Sequence, residues 1–257
     1  MTTPSASRAA PIEAILFDLF HTLVDMSRAP ARTSTPEILG IDPLVWSRKV
    51  IEDSPHHALG TETDPVESIR RIAHAIDPSI STARIVEAAR QRPARFRSAL
   101  VDVRPEVLEM LRRLRAWGLK IGLISNAGLD EVGGWDESPL APLFDTALFS
   151  CHEGVMKPDP EIYLRAARRL DVPSARCLFA GDGGSREHEG AIAAGMRTVL
   201  MLPILEALYP TVAEARPRIT DWTVDSFEGF LELVARLRRE GLPSRTSAVD
   251  GGGTGDA

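Results

Sequence analysis

Cysteine is nearly missing from this 257-residue chain, which has only Cys151 and Cys177. Two cysteines so spaced form neither a disulfide framework nor a metal-ligand motif. They fit a reducing, cytoplasmic setting, and Cys177, inside an apolar run, reads as a small buried hydrophobe. Long apolar runs are also lacking, and none approaches a membrane span. Residues 1–10 are rich in Ser, Thr and Ala without an apolar stretch, so they do not read as a secretory signal. A basic excess is absent: 30 Lys and Arg stand against 36 Asp and Glu, a formal charge of −6. That argues against nucleic acid or an anionic membrane as partner. A small anionic substrate would need a local positive site. The sequence leaves a homodimer open.

What is present is ordinary globular composition. With 44% hydrophobic residues, the chain can bury one large domain or a core with an insertion. Residues 14–17 form a short apolar run that ends in Asp18, as expected of a buried strand with a carboxylate at its C-terminal end. Similar runs follow at 119–125, 146–149, 176–182 and 197–201. Between them lie helical patterns at 105–117, from Pro160, at 185–194 and at 227–239. Strands alternating with amphipathic helices predict an α/β fold, a Rossmann-like parallel sheet with helices on both faces. Such sheets bind ligands outside the carboxyl ends of their strands. Asp18, Ser125 and Asp182 all fall at such ends.

Residues 27–101 interrupt the alternation with helical patterns only, at 44–52, 66–76 and 83–96. Pro93 is expected to kink or split the last of them. Residues 30–36 read as a loop entering this insertion. The expected organisation is a disordered arm at 1–10, a catalytic core at 11–26 and 102–240, a helical cap at 27–101, and a disordered tail at 241–257.

Four segments carry chemistry. They are Phe17-Asp18-Leu19-Phe20-His21-Thr22-Leu23-Val24-Asp25, Ile124-Ser125-Asn126-Ala127, Val155-Met156-Lys157-Pro158-Asp159-Pro160, and Ala180-Gly181-Asp182-Gly183-Gly184-Ser185-Arg186-Glu187. In this order they resemble the four motifs of the haloacid dehalogenase-like superfamily, and the helical insertion falls at the family's first cap position. Any one motif would say little; four in sequence say much.

The resemblance implies a hydrolase with a covalent aspartyl intermediate. Asp18 would be the nucleophile, with Thr22 and Lys157 also in the catalytic set. Ser125, Asn126 and Lys157 would bind substrate, the first through its hydroxyl and the second through backbone N–H groups around it. In the phosphatase branch, Asp18, Asp182 and the carbonyl of Phe20 would hold Mg²⁺, with Glu187 reaching it directly or through water. That branch would act on a small phosphorylated metabolite.

The chain departs from that branch at Phe20, where phosphatases of the family carry a second Asp that transfers a proton. His21 is a substitute by type, though a turn histidine making local hydrogen bonds is the plainer reading. The metal-independent 2-haloacid dehalogenases of the same superfamily have an aromatic residue here and need no acid. They also use a cap arginine against the substrate carboxylate, for which Arg48 and Arg32 are the candidates. A non-catalytic, ligand-binding relative is a third reading. Motif four tips the balance toward the phosphatase. A buried acid beside Asp18 would suffer like-charge repulsion unless a cation lay between them.

Overall fold

A computed structural model describes residues 11–29, 33–53 and 55–243. The arm at 1–10, the tail from 244 onward and Arg32 lie outside the described residues. Six strands form the sheet: β1 (Ala14–Phe17), β2 (Lys120–Ser125), β3 (Thr146–Phe149), β4 (Cys177–Gly181), β5 (Arg197–Met201) and β6 (Trp222–Val224). Their order is β3-β2-β1-β4-β5-β6, and every neighbouring pair is parallel. The α/β class expected from the alternation is therefore the class observed. β1 and β4 are buried along their whole length, as strands covered on both faces require. β6 escapes the sequence reading because it is three residues long and only partly buried.

Helices α1 (Thr35–Leu39), α2 (Pro43–Asp53), α3 (Pro55–Ala58), α4 (Pro65–Ile76) and α5 (Thr82–Val101) separate β1 from β2. Then come α6 (Pro105–Ala116), α7 (Leu129–Val132), α8 (Ser150–Glu153), α9 (Pro160–Leu170), α10 (Glu187–Ala193), α11 (Pro203–Leu208), α12 (Pro210–Glu214) and α13 (Phe227–Glu240). One face of the sheet packs Phe17, Leu123 and Val199 against α6 and α13; the other packs Leu16 and Phe179 against α9 and α10. Helices α1, α2, α4 and the first part of α5 share an apolar cluster of their own, centred on Leu39, Trp46, Ile69, Ile72 and Ile85.

Four expectations fail locally. Residues 30–36 are not all loop, because α1 begins at Thr35. Ser34 and Glu37 form a capping box in which the Ser34 N–H donates to Glu37 Oε2 at 2.7 Å. Pro93 does not split α5, which runs unbroken. Proline inside a helix costs about 3 kcal/mol, but α5 packs Ile85 and Ala89 into the insertion's cluster and Ala99 and Leu100 into the main core, and that burial holds it together. The helix expected from Ser185 starts only at Glu187, since Ser185 and Arg186 adopt left-handed backbone with φ of 52° and 53°. Leu242, expected in the tail, is instead buried in the main core.

Candidate active site

β1 lies in the middle of the sheet. The chain runs from it to β2 and β3 on one side, then returns to β4 on the other. The strand order reverses at β1, and a crevice opens there at the carboxyl ends. Asp18 follows β1 directly, anchored by its N–H donating to Ala180 O at 3.0 Å. The chain then turns sharply, with the Leu23 and Val24 N–H groups both donating to Leu19 O at 2.9 Å. This turn brings Thr22 back over Asp18, and its hydroxyl donates to Asp18 Oδ2 at 2.8 Å.

Lys157 reaches the same carboxylate from a distant segment. Its Nζ donates to Asp18 Oδ1 at 2.5 Å and to Glu187 Oε2 at 2.6 Å. Its backbone is clamped by Asn126: the Lys157 N–H donates to Asn126 Oδ1 at 2.8 Å, and Asn126 Nδ2 donates to Lys157 O at 2.9 Å. Glu187 sits at the start of α10, and its Oε1 accepts the Gly183 N–H at 2.8 Å. Gly181 makes room for it, because a Cβ there would lie 2.2 Å from Glu187 Oε1. Asp182 follows β4. Its Oδ1 accepts the Gly184 N–H at 2.9 Å, and its Oδ2 accepts from Arg216 at 2.6 Å.

Asp18, Asp182 and Glu187 thus converge, with carboxylate oxygens within 4.8 Å of one another. All three are buried, and they face two cations, Lys157 and Arg216. Burial alone would lower the Lys157 pKa, but the carboxylates of Asp18 and Glu187 override it and hold the ammonium above its ordinary range. Burial pushes the Glu187 carboxyl up to about 8, reinforced by Asp18 and Asp182 against the pull of Lys157. Behind the cluster, burial pulls His188 down to about 4, and its Nε2 lies 3.1 Å from Val199 O. Ser125, at the end of β2, is 1% exposed, and its hydroxyl has no hydrogen-bond partner among the described residues.

The structure therefore assembles Asp18, Thr22, Lys157, Asp182 and Glu187, and leaves the Ser125 hydroxyl unpartnered. Other expected site residues fall elsewhere. The Asn126 side chain is engaged with the backbone of Lys157, a positioning role beside the backbone N–H contact expected of it. Arg48 stands exposed on α2, whose buried Trp46 faces the insertion's own core, so helix geometry sends Arg48 to solvent. His21 makes the local bond expected of a turn residue, its N–H donating to Val24 O at 2.9 Å. It has left-handed backbone, φ 65°, and its Nδ1 is buried without a partner. Its ring meets Tyr209 edge-on at 5.7 Å. The Phe20 ring packs edge-on against Phe96 of α5 at 5.2 Å.

Arg216 is not anticipated by the sequence reading. It comes from the segment after α12, which bears none of the four motifs. The only trace is the Gly183-Gly184 pair: a Cβ on Gly183 would sit 3.4 Å from Arg216 Cδ. The charge argument for a cation beside Asp182 points to the right need, and the protein itself supplies one.

The pattern of the haloacid dehalogenase-like hydrolases matches residues 12–195. A glyceraldehyde 3-phosphate phosphatase of Methanocaldococcus jannaschii is 26% identical over 242 residues, covering 89% of this chain and all of the relative. Among solved structures, a 2-haloacid dehalogenase from Pseudomonas syringae pv. Tomato is 26% identical with a TM-score of 0.55, covering 88% of this chain and 99% of its own. An L-2-haloacid dehalogenase at 21% identity has a TM-score of 0.64 over 88% of this chain and all of its own, a likeness of fold.

Proposed function

The chain belongs to the haloacid dehalogenase-like hydrolases and is a hydrolase, and from that premise we propose that it is a Mg²⁺-dependent phosphatase of a small phosphorylated metabolite. The convergence of Asp18, Asp182 and Glu187 within 4.8 Å carries this reading. Three hard carboxylate donors suit a hard divalent cation. The carbonyl of Phe20 completes the proposed ligand set. Bound there, the ion would offset the repulsion between Asp18 and a phosphate dianion.

In this reading, Asp18 attacks phosphorus and forms an aspartyl phosphate, which water then hydrolyses. Thr22 and Lys157 hold the two Asp18 oxygens and fix the direction of attack. The unpartnered Ser125 hydroxyl donates to a phosphoryl oxygen. His21, with its Nδ1 unbonded, protonates the leaving oxygen in place of the acid that Phe20 cannot be. The helices of 27–101 act as a cap over the crevice. The likeness to a phosphatase along nearly the whole chain supports the same reading. A cytoplasmic setting, where the free thiols of Cys151 and Cys177 stay reduced, is part of it.

A second reading rests on Phe20. Packed edge-on against Phe96, it puts an apolar ring two residues beyond the nucleophile and offers no proton there. A haloacid dehalogenase needs none, since halide leaves unprotonated. One assay separates the two. A panel of phosphate esters and 2-chloropropionate is incubated with enzyme, with Mg²⁺ and with chelator. Phosphate release that stops with chelator supports the phosphatase. Halide release indifferent to chelator would replace it with the dehalogenase.

A further inference from the structure

The strand-end cluster resolves its charges in two separate ways. Lys157 lies between Asp18 and Glu187 and bonds both. Asp182 receives nothing from Lys157. Its counter-charge is Arg216, whose guanidinium donates to Oδ2 at 2.6 Å while Oδ1 takes the Gly184 N–H. Arginine remains charged at any physiological pH, so this cation cannot be titrated away. Its place is built for it. Asp182 is 5% exposed, and the backbone of Gly183 and Gly184 runs alongside the Arg216 side chain. The Arg216 Nε is buried with no partner of its own, so the ion pair with Asp182 is what holds the guanidinium there.

We propose that Arg216 is a metal-competing residue, an internal cation that occupies Asp182 and must leave it for a divalent ion to bind. This inference rests on the metal-dependent reading above and adds how the protein sets the affinity of that site. An ion on the Asp182 carboxylate would stand directly beside the guanidinium already bonded to Oδ2. A divalent ion would place two further positive charges against that guanidinium. In a buried setting that repulsion is large. The ion therefore binds more weakly than three convergent acids alone would bind it, and its arrival releases the Arg216 side chain.

The test is calorimetric titration of the full chain with Mg²⁺, in wild type, Arg216→Met, Asp182→Asn and the double variant. Arg216→Gln stands in for Arg216→Met if the latter does not fold. Removing the guanidinium is expected to tighten Mg²⁺ binding at least tenfold, about 1.4 kcal/mol. The thermal shift produced by saturating Mg²⁺ should be larger in Arg216→Met than in wild type. In the Asp182→Asn background, removing Arg216 should bring no gain, because the competition acts through that carboxylate. Equal Mg²⁺ affinity in wild type and Arg216→Met overturns the inference and leaves the metal site standing. A gain that persists in Asp182→Asn also overturns it, since Arg216 would then act only through its general field. Absence of Mg²⁺ binding in every variant overturns the inference and the metal-dependent reading together.

Discussion

Two buried charge clusters lie a few turns of chain apart, and they are built differently. One joins the insertion to the core. Arg92 of α5 donates to Asp130 Oδ2 at 2.8 Å and also pairs with Glu131. His57 stands 3.3 Å from Asp130 Oδ1, and its Nδ1 lies 3.1 Å from Ser68 Oγ. The Arg92 guanidinium also stacks 4.7 Å from the Phe96 ring centre. Here two acids meet a guanidinium and an imidazole, all from fixed helices. The other cluster, at the strand ends, has three acids against two cations and an unpartnered hydroxyl beside them. The first joins two segments of the fold and holds parts together. The second carries a carboxyl pushed up to about 8 by burial, with an unpartnered hydroxyl beside it. Buried charge alone therefore does not mark an active site. A strongly perturbed carboxyl among buried charges does, when it lies at strand ends.

That contrast breaks first at the nucleophile. Asp18→Asn should abolish turnover, with a loss on the order of 10⁴-fold or more, while thermal melting shows a folded protein. Appreciable activity in this variant would end the assignment of Asp18. Arg92→Met tests the first cluster and should act on stability. It leaves Asp130 and Glu131 buried without their main partner, at a cost of about 3–5 kcal/mol, read by urea unfolding. If the cluster only holds parts together, kcat of the folded fraction should stay within about tenfold of wild type, a smaller change than loss of a general acid–base group.

A pH test sharpens the comparison further. The His188 pKa is lowered to about 4 by burial, against an ordinary 6.5. Between those values the unfolded chain takes up a proton that the folded chain refuses. The stability tied to a neutral His188 is complete above pH 6.5 and is lost as pH falls toward 4, to a total on the order of 3 kcal/mol. Urea midpoints at pH 7 and pH 4.5 should show that loss, and His188→Gln should flatten it. The smallest expected effect is that of Ser125→Ala. Loss of one donor to the phosphoryl group should lower kcat about 10²-fold, near the lower end for such groups, with little change in melting temperature. An unchanged kcat would mean that the unpartnered hydroxyl does not face the substrate.

Much of the site is legible in the order of residues. Asp18, Ser125 and Asp182 announce themselves because each ends an apolar run, and a parallel sheet must place such ends together. Lys157 is legible through its Lys-Pro-Asp-Pro setting, where Asp159 and Pro160 open α9; Asp159 Oδ1 accepts the Glu161 N–H at 2.9 Å. Arg216 and Arg92 are not legible. Each contacts its partner across a long stretch of chain, and neither sits in a local pattern that demands it. Pro93 misleads for the same reason, since the packing that keeps α5 continuous comes from other parts of the molecule. The clamp that the Asn126 side chain makes on the Lys157 backbone is not legible either, because only the fold brings the two together.

The chain on its own determined the α/β class, the carboxyl-end location of the site and the identity of its central acids and lysine. Periodicity and turn chemistry are local properties, and they survive in a linear string of side chains. Which cation answers each carboxylate was decided only by the tertiary structure. Ion pairing depends on distance in space, and the fold alone brings Arg216 to Asp182 and Arg92 to Asp130.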